Sequence, residues 1–328
     1  MPLPERSLIS EIRRLALRTR VVGRGIGRGV LTGIGDDCAI LAGPDRWDLL
    51  VTTDFTLEGV HFRRDWHPPE SVGHRCLARG LSDIAAMAGE PAAVFLSLAL
   101  PRDLRQSWVT RFVRSLINLA KKYGATLAGG DTAESPDGIL ADIIVIGTVP
   151  KGKAIFRSGA RPGDRVYISG QLGGSAAAVL KLRARPEKKL DSRAYVRHFY
   201  PEPRVELGRV LREKNLASAM IDTSDGLSTD LSHICGESRV GAEIDSSLIP
   251  RARIGKHGAE VDLDLALHGG EDYELLFTAP STKRVPKQIS GVPITEIGLI
   301  TRSRAISVRD AKGVACELRP RGWQHFRE

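Results

Sequence analysis

Hydrophobic and polar positions along the chain alternate between two periods. Residues 7–18 repeat apolar side chains at helical spacing, with Leu8, Ile12, Leu15 and Ala16 on one face. Short apolar runs at 39–41 and just before Thr52-Thr53-Asp54 read as strands. Residues 70–89 read as helix, 92–100 as strand, 103–123 as helix, and 125–128 and 139–149 as strands. The turn-rich stretch 157–164 interrupts this order. A second series follows: a strand at 165–169, a helix from about 170 to 182, a charged segment at 181–192 and helical pieces to about Lys214. Then come a strand at 217–221, a helix to about Ser238, a strand at 275–277 and short closing strands. Two α/β units are therefore expected, residues 1–150 and 151–328.

The strands share an ending. Gly33-Ile34-Gly35-Asp36-Asp37-Cys38 precedes the first long run, and Thr52-Thr53-Asp54 ends the second. Gly129-Gly130-Asp131-Thr132 and Asp222-Thr223-Ser224-Asp225 follow others, and Asp83 sits among small apolar residues on a helix tail. One such acid reads as a solvated turn or a cap. Seven in similar settings across both halves point to a cleft at strand ends, where α/β sheets build their sites. Crowded carboxylates call for a counter-charge. With no His or Cys placed beside them, that charge is a hard cation such as Mg²⁺. Such a site suits phosphoryl transfer, where catalysis is mostly positioning and charge neutralisation.

Three other stretches are weaker. Residues 147–154 match most of a P-loop but end in Ala154, where a metal-binding Ser or Thr belongs. Gly23–Gly29 has neither the strand nor the helix of a dinucleotide loop and reads as a flexible, basic loop. Gly170–Ser175 opens a helix whose N–H groups suit an anion, or is an ordinary glycine-rich turn. No GxSxG elbow supports a serine nucleophile.

Composition narrows the partners. The 328 residues carry 48 basic and 39 acidic side chains, a net charge of +9. The basic residues are scattered, and the densest stretch, 13–28, lacks interleaved aromatics. Attraction of anionic small ligands is favoured over nucleic acid. Cys38, Cys76, Cys235 and Cys316 form no CxxC pair, which fits a reducing compartment. No apolar run has the length of a membrane span and the first residues lack a signal-peptide core, so a cytoplasmic protein is expected.

Taken in order, the acidic motifs, Gly59-Val60-His61-Phe62, Leu81–Met87, Arg157-Ser158-Gly159, Gly269-Gly270-Glu271-Asp272-Tyr273-Glu274-Leu275 and Gly322-Trp323-Gln324-His325-Phe326 resemble the thiamine-monophosphate kinase family. The likeness runs from about residue 7 to the end, within the wider group related to aminoimidazole ribonucleotide synthetase. It implies ATP-dependent phosphorylation of thiamine monophosphate to thiamine diphosphate with several Mg²⁺ ions. It also implies a homodimer in which the N-terminal mixed sheets pair into a β-barrel, beside a C-terminal α/β domain. By motif, Asp37, Thr52, Thr53, Asp54, Asp83, Asp131, Asp222 and Asp225 would hold metal. Gly130, Asp131, Arg157 and Ser224 would contact ATP, and His61, Glu271 and Trp323 the thiamine phosphate. Asp36 would only support its turn. Another synthetase-like enzyme of the same group and a non-catalytic basic regulator are the alternatives. Because the acceptor phosphate is a dianion above pH ~6, His61 is expected to position it rather than deprotonate it.

The thiazolium ring is a permanent cation, and Trp323 offers it an aromatic face. Trp323→Ala should raise the KM for thiamine monophosphate about two- to tenfold, the weight of one cation–π contact. An unchanged KM in steady-state assays would assign Trp323 to packing of the tail.

Overall fold

The structure, a computed structural model, describes residues 2–18, 29–184, 190–255, 257–323 and 325–326. Most of Gly23–Gly29 lies outside these residues. The first half comprises α1 (Glu5–Arg18), β1 (Val30–Thr32), β2 (Ala39–Ala42), β3 (Trp47–Leu57), α2 (Pro69–Ala86), β4 (Glu90–Leu100), α3 (Gln106–Lys122), β5 (Thr126–Glu134) and β6 (Leu140–Pro150). Its strands form one sheet in the order β1-β2-β3-β6-β4-β5, antiparallel except for the parallel pair β4–β5.

The second half comprises β7 (Arg165–Ser169), α4 (Gly174–Ala184), α5 (Val196–Phe199), α6 (Val205–Glu213), β8 (Ala219–Asp222), α7 (Leu227–Ser238) and β9 (Gly241–Asp245). A small hairpin follows, β10 (Arg253–Ile254) and β11 (Ala259–Glu260), and then α8 (Leu263–His268). The last strands are β12 (Leu275–Ala279), β13 (Gln288–Ile289), β14 (Val292–Thr301), β15 (Ile306–Arg309) and β16 (Ala315–Glu317). The sheet order is β16-β15-β9-β14-β7-β12-β8, with β13 on β14. The two-unit α/β reading thus holds for the single chain. Its first sheet is open, with β1 and β5 as edges, and a barrel closed across a dimer is not formed within one chain.

The first sheet hides one face, whereas β7, β8 and β12 of the second are buried on both. On β6, Ala141, Ile143, Val145 and Val149 are buried, while the alternate Ile144 is exposed. That period of two sends the inner residues onto α2 and α3, where Val72, Leu77, Leu81, Phe112 and Leu116 complete the core. Pro69 at the first helical turn pre-sets α2, and Glu70 favours its N-terminal dipole. On its other side, α2 packs against α6 and β8 of the second half, with Ala85 and Ala86 joined to Leu207, Leu211 and Phe277. One helix is therefore buried between two sheets. Among the described residues no helix is long and apolar enough to cross a membrane.

The contact of α2 with α6 depends on the absence of a side chain. A Cβ at Gly208 would lie 2.3 Å from the Ala85 carbonyl oxygen. Gly208→Val should force the helices apart, cost about 1–3 kcal/mol and lower Tm in thermal denaturation. An unaltered Tm would mean that the helices do not meet there in solution.

Candidate active site

A cavity of about 1360 Å³ opens between the two halves, and residues from α2, β3, β8, α4, α8 and the C-terminal tail line it. One end is acidic. Asp37 enters from the turn before β2, Asp83 from the last turn of α2, and Asp222 from the end of β8. One carboxylate oxygen from each lies within 4.8 Å of the others. The Thr52 hydroxyl donates to Asp83 Oδ2 at 2.5 Å, and the Ser82 hydroxyl to Asp222 Oδ2 at 2.6 Å. Arg157 donates through its guanidinium to Asp37 Oδ1 at 2.6 Å and through its backbone N–H to Asp36 Oδ1 at 2.9 Å.

These acids are crowded beyond what the protein alone satisfies. Asp37 Oδ2 is buried and has no hydrogen-bond partner. Burial, with Asp37 close by, raises Asp222 to about 7. Burial and then the charges of Asp222, Asp54 and Asp37 push Asp83 well above the carboxylate range. Burial also lifts Asp36 to about 7 and Asp225 to about 6. A divalent cation would reverse each of these costs, and the donors are all oxygens. The residues therefore fit Mg²⁺.

The motif residues do not all meet here. Asp54 shares the inner face of β3 with Thr52, two residues away, and accepts from Arg79 at 2.9 Å. Asp225 and Ser224 line the cavity. Thr53 points to the other face of β3, where its hydroxyl donates to Asp142 at 2.8 Å, away from the Asp37–Asp83–Asp222 cluster. Asp131 and Gly130 lie on edge strand β5. Asp54 pairs with Ile143, Ile143 with Leu96, and Leu96 with Gly130. Three strand spacings of about 4.8 Å place Asp131 about 14 Å from Asp54 along the sheet. Gly130 has φ +153, and a Cβ there would strike the Leu96 carbonyl oxygen.

The opposite end is basic and aromatic. His61 Nδ1 accepts the Leu57 N–H at 3.0 Å, which puts the ring proton on Nε2. Burial, then Arg79, lowers its pKa to about 3, so the ring is a neutral donor. Glu271 is held against burial at about 2 by Arg75 and Arg79, with Arg75 Nη2 2.8 Å from both carboxylate oxygens. Trp323 is half exposed, and its ring stands edge-on to His325, whose ring meets His61 at 5.8 Å. The tail is pinned by the Trp323 N–H on the Asp225 carbonyl.

Arg75 and Arg79 were not singled out in the sequence. Their signal was present: with Asp83 they repeat every four residues, one stripe of charge on an otherwise apolar helix. The helix start at Gly173–Ser175 is closed to outside anions, because the Gly173 and Ser175 N–H groups donate to Asp272 at 2.6 and 3.3 Å. The P-loop-like residues 147–150 are the end of β6 and open no helix.

Residues 35–149 match the model of the AIR synthase related protein, N-terminal domain, and residues 161–311 that of the AIR synthase related protein, C-terminal domain. The thiamine-monophosphate kinase of Escherichia coli K12 is 40% identical over 305 residues, 90% of this chain and 91% of that one. That of Bacillus subtilis is 36% identical over 307 residues, covering 90% and 93%. A solved structure of AaThiL complexed with AMPPCP and TMP superposes with a TM-score of 0.83 at 32% identity, covering 99% of both chains. Both halves match in order, and the relatives match nearly end to end: the chain belongs to the AIR synthase related family and, within it, to the thiamine-monophosphate kinases.

Proposed function

We propose that the chain transfers the γ-phosphoryl group of ATP in line to the phosphate of thiamine monophosphate, giving thiamine diphosphate and ADP. The observation that carries this reading is a single cavity lined by Asp83 and Asp222, on which Asp37 converges, and by a basic, aromatic wall. Related kinases and a relative holding AMPPCP and TMP support the choice of substrates.

Asp37, Asp83 and Asp222 would hold Mg²⁺, with Asp54, Asp225 and Thr52 beside them. Bound there, Mg²⁺ would neutralise charge on the transferring phosphoryl group. An acceptor phosphate oxygen forms the new bond to the γ-phosphorus as the bond to the bridging β–γ oxygen breaks. The acceptor is already a dianion above pH ~6, so no proton has to be removed. His61 Nε2–H and Arg79 would orient that phosphate, and Trp323 would face the thiazolium. Glu271 would accept from the aminopyrimidine while Arg75 holds it. Arg157 and Ser224 would take ATP. Gly130 and Asp131 would serve through a second copy: β5 is an unpaired edge, and the outer sheet face exposes Phe55 and Ile144. Residues 1–150 and 151–328 are the two working units of a cytoplasmic homodimer in this reading.

Incubation with ATP, MgCl₂ and thiamine monophosphate should yield thiamine diphosphate by chromatography, and EDTA should stop it; ATP consumed without that product would point to another enzyme of the group. Asp54→Asn and Asp222→Asn should lose most turnover yet stay folded, and near-normal turnover in both would remove the metal-site reading. Without metal, Asp222 has a folded pKa of about 7, above its unfolded value, so its contribution is full at low pH and is lost as pH rises through 7. Metal-free Asp222→Asn should therefore have a Tm about 2 °C or more above the parent at pH 8. A lower Tm would contradict the crowding. Since His61 is no base, the basic side of the pH–rate profile should be the same in His61→Ala as in the parent; losing a basic limb would overturn that role.

A further inference from the structure

Behind the basic wall, Arg75 is almost wholly buried and makes four distinct contacts. Its Nη2 bridges both Glu271 oxygens and reaches the His61 carbonyl at 3.3 Å. Its Nη1 donates to the His198 carbonyl and lies 3.2 Å from His198 Nδ1. His198 Nε2 is 2.9 Å from His67 Nε2, and both rings are buried.

The donor inventory ties this chain together. His198 Nδ1 lies 3.2 Å from Arg75 Nη1 and 2.9 Å from the Ser175 hydroxyl, and His67 Nδ1 lies 3.2 Å from both the N–H and the carbonyl of Arg63. The two facing Nε2 atoms can share only one proton, so the tautomer of one ring dictates that of the other, and both rings are neutral. The chain crosses between the halves, since His67 and Arg75 come from the first and His198 and Glu271 from the second. It ends on the loop that carries His61, where Arg63 also lies over the Trp66 ring, 4.7 Å from its centroid.

We propose that Arg75 is a positioning residue for the thiamine-phosphate half of the cavity, and that the buried His198–His67 pair fixes its guanidinium. One cation thereby sets the place of a donor, His61, and of an acceptor, Glu271. Its fork meets the carboxylate with one nitrogen and the second half's backbone with the other. An ammonium could carry the charge but not both directions. The proposal rests on His61 and Glu271 contacting thiamine monophosphate.

Steady-state kinetics of the full chain with Mg²⁺, varying each substrate separately, test it. Arg75→Met should raise the KM for thiamine monophosphate about tenfold or more while the KM for ATP stays within about twofold. His67→Leu, which touches neither Arg75 nor its carboxylate partner, should raise the same KM by a smaller factor. His67→Gln, whose amide restores a hydrogen-bonding partner toward His198, should return it to the parent value. Should Arg75→Met fail to fold, the His67 pair still decides. Folded variants with the parental KM for thiamine monophosphate, or with both KM values rising together, would overturn the proposal. His61→Ala and Glu271→Gln separate the two levels. If they raise that KM and Arg75→Met does not, the positioning role fails; if they leave it unchanged, the reading of the site fails.

Discussion

The cations buried on α2 are matched across the two halves of the molecule, chiefly by Glu271. Arg75, Arg79 and Asp83 follow one stripe of a helix packed between two sheets. A buried ion without a partner is too costly to keep, and breaking a buried pair costs about 3–5 kcal/mol. Glu271 of the second half meets Arg75 and Arg79, Asp54 of β3 meets Arg79, and Asp83, which faces the like charge of Asp222, is left to a bound cation. The two sheets are thereby held at one separation by electrostatics, with glycine at the helix contact allowing the backbones to close. The cavity is the gap left between them.

That arrangement gives the cavity a direction. Anionic groups needing metal gather at one end, and a neutral histidine, two arginines and an aromatic tail at the other. Two anionic substrates placed across such a gap meet where their repulsion is best neutralised, which is most of what phosphoryl transfer asks of a protein. Asp272 sharpens the division. By closing the start of α4, an internal carboxylate denies phosphate a helix terminus, leaving metals and arginines to receive it.

Much of this was legible in the residues. Acids at the ends of apolar strands and on a helix tail announced the cluster, and Asp37, Asp83 and Asp222 do converge. Local pattern did not separate Thr52 from Thr53, because alternation says that they face opposite ways but not which face meets α2. Asp131 looked equivalent to the others because its glycines and strand are alike; only the parallel crossover from β4 to β5 puts it on the far edge. Arg75 carries no local mark of its burial, because an arginine on a helix most often faces solvent. The histidine beside it, His198, and that ring's own partner, His67, come from distant positions, a juxtaposition that no local window contains.

The open edge at β5 has a kinetic meaning. Asp131 lies about 14 Å along the sheet from Asp54, three strands of about 4.8 Å away. In the dimer proposed above, its role at that cluster would fall to the neighbouring chain. Catalysis drawing on it would then obey mass action in the protein itself: dilution below the dissociation constant of such a pair would lower turnover per chain, while the Asp37–Asp83–Asp222 cluster, built within one chain, is indifferent to dilution.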